Sequence, residues 1–328
     1  KLLNEIGFKK FQNNEKFTPK KINFYSNNSF NKICELDIEN FNTEDCRYTT
    51  LKRSTLINFL KKDLENLIKT GYEILKIDEQ DKQIKLSFEN GETKKYDYLI
   101  ISDGVFSKSK SLISNNKTKP KYNNTLAIRG ILTKFPKNID NKNIALFLGS
   151  DFHCVIYPLS SNGDFNFIAI MKYHLSKEEQ KNYSLFSDNS LVKKILEKIP
   201  LKNNIFLDNL KDLKIFPVFV SDSFYKLQNN NIHLIGDAFF AFPPSFAQGA
   251  SQSIEGAYEL FKNIESNTES NFFKNRVNKT KMVNIRSKFN QFAFHLSNPL
   301  TTLVRNIFLK RLVKNKKFLE SYLGKVYR

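Results

Sequence analysis

The segment Asn231–Leu260, NIHLIGDAFFAFPPSFAQGASQSIEGAYEL, constrains this chain more than any other stretch. Ile232, Leu234 and Ile235 read as a buried strand that ends at Gly236-Asp237. A carboxylate beside a glycine at the C-terminal end of a strand is placed to accept hydrogen bonds from ribose or ribityl hydroxyls. Pro243-Pro244 stiffens the loop that follows. The next helix opens on small residues around Gln248-Gly249-Ala250-Ser251, so a planar ligand can approach bare backbone N–H groups at the positive end of the helix dipole. Ala247, Ala250, Ile254, Ala257 and Leu260 are its expected buried stripe. The pattern also fits an ordinary strand–loop–helix crossover whose Gly and Pro serve packing alone, and by itself it leaves both readings open.

The rest of the chain supplies context. Residues 51–69 place Leu56, Leu60, Leu64, Leu67 and Ile68 on one helical face, with Ser54 or Thr55 as cap and Gly71 as stop. Asn90-Gly91 joins two strands in a hairpin, the second ending in the apolar run Tyr98–Ile101, which reads as buried. The polar stretch 115–124 is the expected domain boundary. From Leu126 to Phe219 the pattern is mostly β, interrupted by a helical patch at 176–198, and residues 271–328 are helical and basic. A length of 328 residues suits two domains, and 40% hydrophobic with 26% charged residues excludes a disordered polyelectrolyte. No apolar run is long enough for a spanning helix. Cys34, Cys46 and Cys154 form no CxxC pair, and an intracellular, reduced protein is the default. His174, His233 and His295 form no HxxxH or HExxH spacing, so no metal site is expected.

The net charge of +19 comes from 52 Lys and Arg against 33 Asp and Glu. Only eight of the cations are arginines, the residue that reads bases and phosphates bidentately, so nucleic acid is not the expected partner. Much of the surplus lies in the C-terminal tail. In residues 305–328, Ile307, Phe308, Leu312, Phe318, Leu319 and Leu323 stand among many lysines. A helix packed on the body with a solvated lysine face is the plainest reading, and a peripheral membrane contact through 305–328 is the second.

Four segments carry a resemblance, and they occur in the family's order. They are Gly236-Asp237-Ala238 with Pro243-Pro244, Gln248-Gly249-Ala250-Ser251 and Glu255-Gly256-Ala257; Tyr98–Ser107, YLIISDGVFS; Leu51–Leu60, LKRSTLINFL; and Ile128–Ala169, with Arg129-Gly130, Gly149, His153, Tyr157-Pro158 and Asn166-Phe167. Together they resemble the FAD-dependent aromatic hydroxylases, the single-component flavoprotein monooxygenases of the para-hydroxybenzoate and salicylate hydroxylase type. Asn284–Leu309, with Ser287, Phe294-His295-Leu296 and Arg305, is similar to the salicylate hydroxylase branch. The chain departs from the pattern at Phe239-Phe240, where Ala-His is usual, and at Gly256, where Asp is usual.

The resemblance implies a mixed α/β (α+β) fold: a three-layer FAD/NAD(P)-binding domain with an inserted, mostly antiparallel β-sheet substrate domain and C-terminal helices. The expected division is 1–115 and 221–328 for the flavin domain and 116–220 for the substrate domain. FAD is the implied cofactor and NAD(P)H the co-substrate, with O2 and a small aromatic molecule as reactants. The residues implied to hold cofactor are Arg53, Asp103, Gly104, Gly236, Asp237, Pro244, Gly249, Ala250 and Ser251, with Lys110 standing where Arg is common. Pro244, His153 and Tyr157 are the candidates beside substrate, although a core histidine and a packed aromatic are the plainer readings of the last two. No catalytic side chain is implied. Members of the group begin with a strand and a G-x-G-x-x-G turn, and no such turn occurs here. KLLNEIGFKK resembles sequence downstream of it, so the expectation is a fragment lacking its first βαβ portion. A cytoplasmic location is expected, with membrane-peripheral as the variant. The alternatives are a quinone-biosynthesis-type hydroxylase or flavin-dependent reductase at the membrane surface, or an inactive fragment that does not retain FAD.

Overall fold

Alternation of large apolar side chains between Lys121 and Lys172 gives each strand two faces to bury, and a seven-stranded sheet results. The computed structural model describes residues 1–328 apart from 12, 81–82, 114–118, 161–162, 200–205, 207–208 and 328. Its strands are β1 (Lys16–Phe17), β2 (Lys21–Ser26), β3 (Lys32–Asp37), β4 (Thr50–Leu51), β5 (Ile74–Gln80), β6 (Gln83–Phe88), β7 (Thr93–Tyr96), β8 (Leu99–Ile101), β9 (Lys121–Leu132), β10 (Ile144–Gly149), β11 (Phe152–Pro158), β12 (Phe165–Lys172), β13 (Leu210–Val220) and β14 (Ile232–Leu234). The helices that matter are α1 (Leu2–Glu5), α2 (Arg53–Lys61), α3 (Lys108–Ile113), α4 (Asn189–Glu197), α5 (Gly236–Phe240), α6 (Gly249–Glu265), α7 (Glu269–Phe294) and α8 (Pro299–Leu312).

The large sheet runs β13-β9-β12-β11-β10-β2-β3, with β10 and β2 parallel. One face carries Phe147, Phe152, Cys154, Ile156, Phe167 and Ile128, covered by Ile195 and Ile199 of the α4 region and by Phe206. The opposite face carries Phe24, Ile144, Leu146, Leu148, Val155 and Tyr157, against Phe294, Leu309 and Leu319 of the C-terminal helices. Strand β10 is apolar at successive positions because both of its faces are covered. Residues 21–37 lie inside the expected first flavin segment, yet β2 and β3 hydrogen-bond into the sheet of the middle segment. The boundary at 115/116 therefore does not separate the two sheets.

A second core is layered. The antiparallel sheet β5-β6-β7 packs over the short parallel pair β14-β8, and α5 with Phe273 and Val277 of α7 closes the other side. This is the expected three-layer arrangement of a mixed α/β fold. The Asn90-Gly91 hairpin is present between β6 and β7.

Three local expectations are corrected. The helix expected over 51–69 stops at Lys61: Asp63 takes a left-handed φ of 71°, and Leu64, Leu67 and Ile68 are exposed. Tyr98–Ile101 is not a buried continuation of the hairpin; β8 leaves for the parallel pair, burying Leu99 and Ile101 while Ile100 faces outward. In the tail, Ile307 and Phe308 are exposed, whereas Leu319 is buried and Leu312, Phe318 and Leu323 are partly buried against the body. Of the boundary stretch 115–124, residues 115–118 lie outside the described residues, and β9 already begins at Lys121.

Candidate functional site

The two glycine–aspartate turns stand side by side because β8 and β14 are parallel neighbours. Leu234 pairs with Ile101, and the Ile235 amide donates to the Ile101 carbonyl at 3.0 Å. Asp103-Gly104 and Gly236-Asp237 therefore leave the same end of adjacent strands, the end where open α/β sheets bind ligands. Asp103 accepts from the Ser109 amide at 3.1 Å and Ser107 from the Lys110 amide at 2.9 Å, which caps α3. Lys110 reaches back across the gap, its Nζ 3.5 Å from the Ala238 carbonyl oxygen, and burial lowers its pKa. This contact adds to the strand pairing a link between the segments that follow the two turns.

Gly236 sits at φ 59°, and a Cβ there would stand 3.0 Å from Ser253 Oγ of α6. Left-handed backbone and this close approach both demand glycine. Asp237 keeps an open side chain, yet desolvation by the surrounding protein raises its pKa from its ordinary value. Its carboxylate makes no hydrogen bond to the described residues. Such a group, half enclosed and unpaired, is available to hydroxyl donors from a ligand.

The loop from Ala241 to Gln248 is held from behind by α7. Ser287 Oγ donates to the Pro243 carbonyl and Asn290 Nδ2 to the Ser245 carbonyl at 3.3 Å. Ala247 adopts φ 53°, a strained value for alanine, and so swings the chain into α6. Gln248, at the N-cap of α6, makes no side-chain capping hydrogen bond; Gly249, Ala250 and Ser251 are exposed, and a Cβ on Gly249 would meet nothing within 4 Å. Its first amides thus face open space, with the dipole behind them.

The buried stripe of α6 differs from the expected one. Ala247, Ala250 and Ala257 are exposed, Ile254 is partly buried, and the inward positions are Gln252, Gly256 and Leu260. The reason is Arg276 of α7, which is 3% exposed and lies against Gly256, its Nε 3.5 Å from where a Cβ would be. Arg276 donates to Glu255 and Glu259 at 3.1 Å each and to Gln252 Oε1 at 2.9 Å. Gly256 leaves the room, and this buried charge network fixes α6 to α7.

The remaining candidates lie elsewhere. Arg53 is exposed at the start of α2, and its guanidinium makes no hydrogen bond or ion pair with the described residues. On the large sheet, His153, Val155 and Tyr157 point to the face that meets α7. His153 is 2% exposed, its Nδ1 is 2.8 Å from His295 Nε2, and its ring meets Phe294 edge-on. Burial, and secondarily His295, holds its pKa well below normal, and burial lowers His295 to about 4. Both rings are therefore neutral near pH 7, one donating to the other. Unfolding frees both to bind protons below about pH 6.5, so stability should be complete above that pH and fall as pH drops towards 4, by up to about 1.4 kcal/mol per pH unit for each ring. Chemical denaturation at pH 7 and pH 5 checks this; His153→Phe should flatten the dependence.

Two residues absent from the cofactor and substrate candidates share that sheet face. Arg129 is exposed on β9, and Asn166 lies opposite Tyr157 across β11 and β12, its Nδ2 near the hydroxyl without a well-formed hydrogen bond. Helix α7 joins this face to the Pro243–Ser245 loop. Ser287 and Asn290 hold the loop, while Gln291 binds Asn123 of β9 at 3.0 Å and Phe294 packs on the sheet. These contacts fall within two turns, about 10 Å of helix. The Tyr157 pKa is raised by burial. Sequence signals for Ser287 and Arg129 existed in the flanking similarity, but nothing in the periodicity pointed to Arg276 or Gln252. Among the described residues no three His, Cys, Asp or Glu side chains stand together in a metal-holding group.

The residues present fit a flavin dinucleotide on three counts: an unpaired carboxylate, a glycine turn pressed on a helix, and a bare helix N-terminus. The comparisons agree. The model of the family described as FAD binding domain matches residues 7–269. Salicylate hydroxylase of Pseudomonas putida is 23% identical over 242 residues, 65% of this chain and 53% of that protein. The chain thus spans about half the length of this curated relative. Among solved structures, Klebsiella pneumoniae HpxO, complexed with FAD and uric acid, superposes with a TM-score of 0.80 at 13% identity, covering 99% of this chain and 85% of that one. The p-nitrophenol 4-monooxygenase PnpA of Pseudomonas putida DLL-E4 gives 0.78 at 14% identity, with 99% and 85% covered. A salicylate hydroxylase substrate complex gives 0.74 at 17%, with 95% and 84% covered. At such identities the superpositions establish the fold.

Proposed function

The chain belongs to the FAD binding domain family, and from that premise we propose that it serves a flavoprotein monooxygenase which hydroxylates a small phenolic or other aromatic substrate using NAD(P)H and O2. The observation that carries the reading is the pairing of Asp103-Gly104 with Gly236-Asp237 at one end of β8 and β14, next to the bare N-terminus of α6. When bound, FAD would supply the redox chemistry, in which a hydride from NAD(P)H provides the electrons and O2 gives one oxygen atom to the ring and the other to water.

The protein's share is positioning and charge. Asp237 accepts hydrogen bonds from the ribityl or ribose hydroxyls. Gly249, Ala250 and Ser251 present amides that stabilise negative charge on the flavin ring, a preorganised electrostatic role. Asp103 and Gly104 stand at the phosphates, with Lys110 holding the two turns in register. Arg53, free of partners, supplies a guanidinium to the pyrophosphate. Pro244, rigid and backed by Ser287, lies at the substrate side of the loop.

The substrate's place is the sheet face bearing Tyr157, Arg129 and Asn166, with His153 buried farther along the same face. The names of the relatives support a flat ring bearing an acidic oxygen, as in uric acid, salicylate and p-nitrophenol. Arg129 and the Tyr157 hydroxyl suit such an oxyanion. Arg129→Ala should raise KM for an anionic aromatic about 10- to 100-fold, with kcat within about threefold, since a charged hydrogen bond is worth roughly 1.5–3 kcal/mol. Steady-state kinetics on the FAD-loaded enzyme checks it; an unchanged KM removes Arg129 from the site.

The overall reading is tested by NAD(P)H oxidation against a panel of phenols and aromatic acids, scored for hydroxylated product. Oxidation that yields peroxide alone with every compound would point to a flavin-dependent reductase instead.

A further inference from the structure

We propose that the outer faces of α7 and α8 form a docking surface for an anionic lipid membrane. Helix α8 exposes Leu300 (69%), Leu303 (57%), Val304, Ile307 and Phe308 (57%), spaced i, i+3, i+4, i+7 and i+8 on one face. Helix α7 adds Ile285, Phe289 and Phe292, at 67%, 56% and 66% exposure. A lone exposed apolar side chain is ordinary, but two successive helices each presenting an apolar stripe to water are not. The inner side of α8 is already committed: Arg305 is buried with its Nη1 3.3 Å from the Ala293 carbonyl, and Leu309 and Val313 pack on the sheet core. The outward stripe joins no hydrophobic cluster among the described residues.

Charge selects the occupant. Lys281 and Lys288 lie on the same α7 stripe as Ile285 and Phe292, and Arg311 and Lys314 extend the α8 stripe; all four are exposed. Between Glu269 and Glu320 the chain has twelve Lys and Arg and no acidic residue. A second copy of this face would bring like charges together, and a nucleic acid would leave the leucines and phenylalanines without apolar cover. An anionic bilayer satisfies both, taking the apolar stripe into the acyl boundary and the cations at its headgroups. Among the described residues no helix is long and apolar enough to cross a membrane, so α8, about 21 Å long, would lie in the interface plane. This inference is independent of the proposed chemistry.

Co-sedimentation of the full chain with phosphatidylglycerol and phosphatidylcholine vesicles, at low and high salt, tests it. The expected result is binding to phosphatidylglycerol that weakens in salt, with little binding to phosphatidylcholine. The double variant I307E/F308E should bind at least about tenfold less, and K288Q/R311Q/K314Q should lose roughly fivefold per cation removed. All five positions are exposed, so unfolding midpoints should be unchanged, and the charge-neutralising set reports even if the double variant folds poorly. Absence of vesicle binding, equal binding by the variants, or a concentration-dependent dimer abolished by I307E/F308E without vesicle binding would overturn the proposal.

Discussion

Asp237→Ala is expected to weaken FAD binding about 10- to 100-fold, the loss that follows when one charged acceptor of hydroxyl donors is removed. The same substitution should leave the stability of the flavin-free protein unchanged or slightly raised. The Asp237 carboxylate has no hydrogen-bond partner among the described residues, and desolvation raises its pKa, so its charge opposes folding at neutral pH. That combination separates a ligand-binding carboxylate from a structural one, whose removal would cost stability whether or not flavin is present. Fluorescence titration with FAD and urea unfolding without it supply the two readouts. Asp237→Asn, which keeps an acceptor oxygen, should fall between wild type and Ala. Unaltered FAD affinity in Asp237→Ala would remove this residue from the cofactor site.

Arg276→Ala is expected to be the most destabilising single substitution around the site. The guanidinium is 3% exposed and ion-paired to Glu255 and Glu259, while its Nη2 donates to Gln252. Breaking a fully buried pair costs about 3–5 kcal/mol; here the two glutamates keep 30% and 25% exposure, so roughly 2–4 kcal/mol is expected. Part of that is the void left beside Gly256, which has no side chain to fill it. The urea midpoint should fall without a change in m, and FAD affinity should fall with it, because α6 loses the contact that aims its N-terminus. A loss below about 1 kcal/mol would mean that solvent screens the network and that α6 is held by Leu260 and its neighbours instead.

The parts of the fold legible in the sequence were those governed by short-range rules. The Asn90-Gly91 hairpin, the apolar strands of the middle segment and the Gly236-Asp237 turn all obey local periodicity or turn chemistry. What was not legible depends on partners far along the chain. The α6 stripe was expected at alanines, yet a buried arginine 20 residues beyond Gly256 turned the inward face to Gln252 and Gly256. Strands β2 and β3 carry no label tying them to β10, more than 100 residues later, and so the segment boundary did not coincide with the sheets. Leu64, Leu67 and Ile68 fitted a helical face, but Asp63 ended the helix first. His153 stood out by type; its burial against His295 needed α7 to be in place.

Titration of the purified protein with FAD is the sharpest check that this arrangement of turns and helix ends holds the cofactor. Binding should saturate at one FAD per chain, with Kd below about 10 μM, flavin fluorescence altered on binding, and a rise in the unfolding midpoint. No saturable binding by about 100 μM FAD would contradict it.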